Sequence, residues 1–130
     1  MIWYPTALDN STATRSYAVN GYWEPAAERT NLHLLTGFRV DEVLFDEDRR
    51  AESVVIRERG VEAPKAIRVQ ASREIVIAAG AIHSPQVLQR SGIGPKALLE
   101  EAGIEVVEDL PGVGSNLQDH AATSVSYRCK

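Results

Sequence analysis

Ile75-Val76-Ile77-Ala78-Ala79-Gly80-Ala81-Ile82-His83-Ser84-Pro85-Gln86-Val87-Leu88-Gln89-Arg90-Ser91-Gly92-Ile93-Gly94 carries most of the architectural information in this chain. It opens with residues that are apolar throughout instead of alternating, the pattern of a strand covered on both faces in a parallel sheet. Gly80 ends that strand. Ser84-Pro85 then reads as an N-cap and a first helical residue, since proline lacks only a donor that would be unpaired there anyway. A helix is predicted from Pro85 to about Arg90, stopped by Ser91-Gly92-Ile93-Gly94-Pro95. A second short helix should occupy 96–102, with Lys96 and Glu100 one turn apart and Gly103 as its C-terminal stop.

Working outward, residues 31–78 read as a β-meander. Strands are predicted at 32–36, 40–46, 53–59, 66–70 and 74–78, separated by polar, breaker-containing connections at Asp46-Glu47-Asp48-Arg49-Arg50 and Gly60-Val61-Glu62-Ala63-Pro64. Downstream, 105–107 reads as a short strand and 109–120 as a loop. Upstream, residues 1–30 combine Thr, Ser, Asn and Pro with Trp3, Tyr4, Tyr17, Tyr22 and Trp23 and hold no sustained period. They read as loop plus one short helix around 15–22, whose aromatics need a burying surface from elsewhere. The fold class is α/β with an antiparallel meander and an incomplete parallel sheet. It falls into a loop-rich entry (1–30), a meander with a buried strand (31–80), and helices with a loop (81–130).

Composition sets outer limits. The 130 residues are 44% hydrophobic and 25% charged, within the range of ordinary globular chains. The net charge of -4 and the scattered Lys and Arg residues disfavour a nucleic-acid partner. A lone cysteine, Cys129, excludes an intrachain disulfide and a cysteine-pair metal site. No apolar run approaches the roughly 20 residues that span a bilayer, and Met1-Ile2-Trp3-Tyr4-Pro5 lacks the basic and apolar regions of a signal peptide. The three histidines, His33, His83 and His120, share no ligand-type spacing, so no metal site is expected. Ser84 beside His83 is not a nucleophile in a Gly-x-Ser-x-Gly elbow, and capping accounts for it.

Ala79-Gly80-Ala81 presents small residues at the carboxyl end of a strand, where ligands of open α/β sheets sit, and the helix that follows offers free backbone donors to an anion. The same residues equally suit a helix packed closely on a sheet.

The stretch from Gly80 to Gly94 resembles a signature motif of the glucose-methanol-choline oxidoreductases at every defined position. Asp109-Leu110-Pro111-Gly112-Val113-Gly114-Ser115-Asn116-Leu117-Gln118-Asp119-His120 resembles the loop that follows in that family, and Thr14-Arg15-Ser16-Tyr17-Ala18 and Arg29-Thr30-Asn31-Leu32 also match, with a flavour of its aryl-alcohol and glucose oxidase branch. The resemblance implies part of a Rossmann-like FAD-binding domain, FAD as cofactor, and an alcohol as substrate of the full-length relatives. It implies that Val40, after Gly37-Phe38-Arg39, meets adenine through its backbone. It further implies that Ala79, Gly80 and Ala81 form a nucleotide-facing corner and that Asn116 is a polar contact near the flavin or a turn-former. Two family elements are not found: the Gly-x-Gly-x-x-Gly cradle for the pyrophosphate and the C-terminal catalytic His with its partner. The expectation is therefore an interior piece without catalytic residues, inactive and marginally stable or aggregation-prone alone. The alternative is a non-catalytic module that pairs with another chain completing its sheet. A free-standing NAD enzyme is disfavoured by the absent glycine fingerprint.

Overall fold

In the computed structural model, which describes residues 7–127, the sequence after Gly37 forms a hairpin of β1 (Phe38–Phe45) and β2 (Ala51–Glu58). The turn between them is fastened by Asp46, whose Oδ1 accepts from the amides of Asp48 (3.0 Å) and Arg50 (2.8 Å). This self-bonding is why Asp favours turns. β3 (Ile67–Gln70) adds to the other edge of β2, giving an antiparallel sheet in the order β1-β2-β3.

The register places Val40, Val43, Val54, Ile56, Ile67 and Val69 on one face. Val40 and Val43 share that face, although they are three apart, because Asp41 is an extra residue in β1. Val40 pairs with Ile56 while Glu42 pairs with Val55. A second irregularity in β2, at Glu52, restores the count before Phe45 meets Ala51. The carboxylate of Asp41 is clamped by Arg39 Nε (2.8 Å) and Arg57 Nε (2.5 Å). Burial pushes this carboxyl up, but the hydrogen bonds and charges of Arg39 and Arg57 outweigh it and hold the group below its usual range.

α1 (Gly80–Arg90) follows residues 71–79, then β4 (Ile93–Gly94), α2 (Lys96–Glu101) and β5 (Glu108–Asp109), which pairs in parallel with β4. Ser91 joins α1 to the meander: its buried hydroxyl accepts from the Val43 amide (2.8 Å) and donates to the Val87 carbonyl (2.6 Å). Gly92 must be glycine. It has a φ of +82°, and a Cβ there would collide with the Glu105 carbonyl oxygen and lie 2.8 Å from Val107 Cγ2. That close approach lets the Gly92 carbonyl accept from Val107 (2.8 Å) and Glu108 (3.1 Å). The buried apolar residues are Val43, Val55, Ile56, Val87 and Leu99. Each such side chain contributes roughly 1.5–3 kcal/mol relative to exposure.

Several expectations are corrected. α1 begins five residues before Pro85, with Ala79 at the N-cap and no side-chain cap. Ser84 lies inside the helix and reaches back, its Oγ accepting from the Ala79 amide at 3.0 Å. Segments 32–36 and 74–78 are unpaired among the described residues. Their apolar composition suits a strand, but a strand needs a neighbour to bond with, and none of the described residues supplies it. Residue 76 shows the result, since Val76 is 77% exposed. The last short strand lies at Glu108–Asp109 instead of 105–107, because Gly92 draws the chain in at Val107.

The chain divides into two compact units, Met1–Thr36 and Gly37–Lys130. In the first, a turn at residues 9–12 is held by Asp9, whose Oδ1 accepts from the Ser11 hydroxyl, both following amides and the Thr12 hydroxyl. These bonds pull its carboxyl down to about 2. Arg15 bridges Leu8 instead of entering a helix. The helical turns come later, a π-type turn at Val19–Trp23 and a 3-10 turn at Glu24–Ala26. Asn20 competes for the backbone there, accepting from the Tyr17 amide at 2.7 Å and donating to the Arg15 carbonyl at 2.9 Å. Tyr17 and Tyr22 are exposed. Trp3 and Tyr4 lie outside the described residues.

Candidate functional site

The chain turns from extended to helical at Gly80, where φ is +84° and a Cβ would meet nothing within 4 Å. Glycine is required here by the backbone conformation and not by close packing within the chain. Immediately after it, the amides of Gly80, Ala81 and Ile82 precede the first intrahelical bond, so helix geometry leaves them without an acceptor in α1. The Ala79 amide is taken by Ser84. One turn later Pro85 has no amide to give to the Ala81 carbonyl. The start of α1 thus carries three free donors and one freed acceptor.

Ala81 and Ile82 of this helix start border a cleft of about 760 Å³ between α1 and residues 113–118, lined also by Pro85, Gln89, Gly114 and Asn116. Asn116 is exposed and adopts a φ of +55°. Its Oδ1 accepts from Gln118 Nε2 at 3.0 Å, so the side chain stabilises a turn at the rim. Gln89 crosses the floor, donating from Nε2 to the Val113 carbonyl at 3.2 Å.

Val40 and Ala79 sit elsewhere. With Val43, Val54, Val87 and residues 75–78 they line an apolar crevice of about 280 Å³ on the meander face. The Val40 carbonyl accepts from Arg90 Nη2 at 3.2 Å. Ala81 and Asn116 therefore share one cleft, Val40 and Ala79 share another, and Gly80 marks the corner from which α1 starts. Among the described residues no group of three His, Cys, Asp or Glu side chains could hold a metal ion, and no helix is long and apolar enough to cross a membrane.

An FAD-type cofactor can be tested against these groups. The unpartnered amides at the start of α1, beside a glycine with open space around it, suit a phosphate or another anionic group. Val40 fits in part: its backbone is accessible at the strand edge, but any ligand seeking its carbonyl must displace Arg90. Gln89 and Arg90 were not singled out from the sequence. The available signal was helical spacing, since Ala81, Pro85 and Gln89 recur every four residues and so share the cleft face of α1.

Comparison with known proteins gives the frame. The family described as GMC oxidoreductase matches residues 5–122. GMC oxidoreductase family protein Mala s 12 of Malassezia sympodialis is 43% identical over 126 residues, which is 96% of this chain and 20% of the relative. Among solved structures, an FAD-dependent oxidoreductase from Chaetomium thermophilum superposes with a TM-score of 0.78 at 40% identity, covering 85% of this chain and 18% of that one. A fungal aryl-alcohol oxidase superposes with the same TM-score at 39% identity, covering 85% and 18%. The chain spans about a fifth of the length of the curated relatives it matches. With a family match over nearly all of its length and a shared mixed α/β fold, the chain belongs to the GMC oxidoreductases and corresponds to part of their FAD-binding domain.

Proposed function

We propose that this chain supplies part of the FAD site of an alcohol-oxidising flavoenzyme and carries no catalytic base of its own. The observation that bears most weight is the cleft beside α1, which Ala81 and Ile82 at the free-amide start of the helix line together with Asn116, next to the Gly80 turn. Residues 81–130 form the cofactor-proximal part in this reading, and Val40 is the adenine contact of the meander. FAD, when bound, supplies the electron acceptor for alcohol oxidation. The chain's own residues bind and orient: the amides of Gly80, Ala81 and Ile82 would meet the anionic part of the cofactor, and the 113–118 loop would close over it. The likeness to an FAD-dependent oxidoreductase and to an aryl-alcohol oxidase supports this assignment of cofactor and substrate class.

The test is titration of the purified chain with FAD, following flavin fluorescence and melting temperature together. Saturable binding with a raised melting temperature is the expected result. No change in either signal would reject FAD binding by this chain.

A second reading, a non-catalytic module completed by another chain, rests on a different observation. Residues 74–78 are extended and unpaired, and Val76 is 77% exposed. Unpaired backbone of that kind accepts an added strand. Sedimentation in dilute solution distinguishes the readings: a stable monomer with a cooperative melt argues against a need for completion.

A further inference from the structure

We propose that Gln89 is a positioning residue that latches the 113–118 loop to α1 and thereby sets the width of the cleft, an inference that rests on the cofactor reading above. Three observations converge on this one side chain. Its Nε2 donates to the Val113 carbonyl at 3.2 Å, a contact spanning 24 residues of chain. A Cβ on Gly114 would lie 2.8 Å from the same nitrogen, and one on Gly94 would lie 3.0 Å from Gln89 Cγ. The amide arm is therefore walled by two glycines that leave it just enough room. Finally, Gln89 lines the cleft on one side and, with Leu98, Leu99 and Ile104, a smaller apolar crevice on the other. With Gln86, which lines both as well, it forms the partition between cleft and crevice.

The loop has few other ties. Within it, the amides of Val113 and Ser115 bond only to the carbonyls of Leu110 and Gly112, and the Ser115 hydroxyl bonds to Gly112 as well. These are bonds of the loop to itself: they do not set its distance from α1, and once the latch is lost the exposed turn frays and these amides exchange. Gln89 is the side-chain bond from α1 to this loop, so it decides where Asn116 stands relative to the free amides of Gly80, Ala81 and Ile82.

The variant Gln89→Glu keeps the shape but replaces the donor by a carboxylate oxygen that faces the Val113 carbonyl. At neutral pH two acceptors then oppose each other and the latch opens. Acidification to about pH 3.5 protonates most of the new carboxyl and restores one donor. Gln89→Met, of similar length and without a donor, serves as a pH-independent control. The measurement is amide hydrogen exchange at Val113 and Ser115, with melting temperature and FAD titration in parallel. We expect protection at both amides to fall about fivefold in Gln89→Glu at pH 7, the factor a typical net hydrogen bond carries. It should recover on acidification, while Gln89→Met stays loose at both pH values. FAD affinity should fall by a similar factor in the loosened forms.

Unchanged protection in Gln89→Glu overturns the latch whatever FAD does. A loosened loop with undiminished FAD affinity overturns the positioning role. A loosened, pH-rescued loop in a chain that takes no FAD supports the latch and counts against the cofactor reading.

Discussion

Strand β2 is apolar at four of its eight positions and residues 75–78 are apolar throughout, yet the less apolar segment is bonded along both edges and the other along neither. β2 has β1 and β3 as neighbours and buries Ser53, Val55 and Ile56. Residues 75–79 line the apolar crevice of the same meander, but the backbone of 75–78 is unpaired among the described residues and Val76 stands in solvent. The difference teaches that apolar composition specifies where a segment wants to be, while hydrogen-bond partners must be supplied by some other stretch of chain.

The largest effect that would sharpen this contrast is a cavity in the fastened region. Ile56→Ala should destabilise by about 2–4 kcal/mol, whereas Val76→Ala should change stability by less than about 0.5 kcal/mol, both read by denaturant unfolding. Equal effects would break the comparison. Next comes the joint between α1 and β1: Ser91→Ala leaves the buried Val43 amide unpaired and should cost about 1–3 kcal/mol. Smaller again is the titration of Asp41. Its folded pKa is depressed, so the unfolded chain binds more protons, stability rises with pH, and the contribution is lost as pH falls below the ordinary value of 3.8. Asp41→Asn should flatten that acid limb, measured as melting temperature against pH. Last, Val76→Lys should leave the melt almost unmoved and reduce aggregation in light scattering, because a charge blunts an open strand.

Much of the meander was legible from residues alone. The Asp46 turn, the paired strands on either side of it and the Gly103 stop after α2 follow local chemistry that operates within a few residues. The start of α1 was misread because Ser84-Pro85 imitates a cap. Ser84 does satisfy a helix-start amide, but it does so from within the helix, and only the positive φ of Gly80 reveals where the turn is made. The strands at 32–36 and 74–78 were overread, since strand composition cannot show whether a partner is present. In the cleft, Ala81 and Asn116 were named from motif positions. Gln89 was not, because its role depends on a loop 24 residues away meeting it in space.

The paired irregularities of the β1–β2 hairpin bear on how this segment tolerates changes in length. Asp41 on one strand and Glu52 on the other are each one residue too many, and together they cancel. Deleting Asp41 alone would remove one bulge and leave Val40, Glu42, Val43 and Leu44 opposite Ile56, Val55, Val54 and Ser53, so Val43 keeps its face and its bond to Ser91, whereas deleting a paired residue such as Glu42 would shift its neighbours by one place. Deleting both would leave a regular hairpin. Across homologous genes, therefore, single-residue gaps in this hairpin should gather at positions 41 and 52, while gaps at the paired positions between them would be purged.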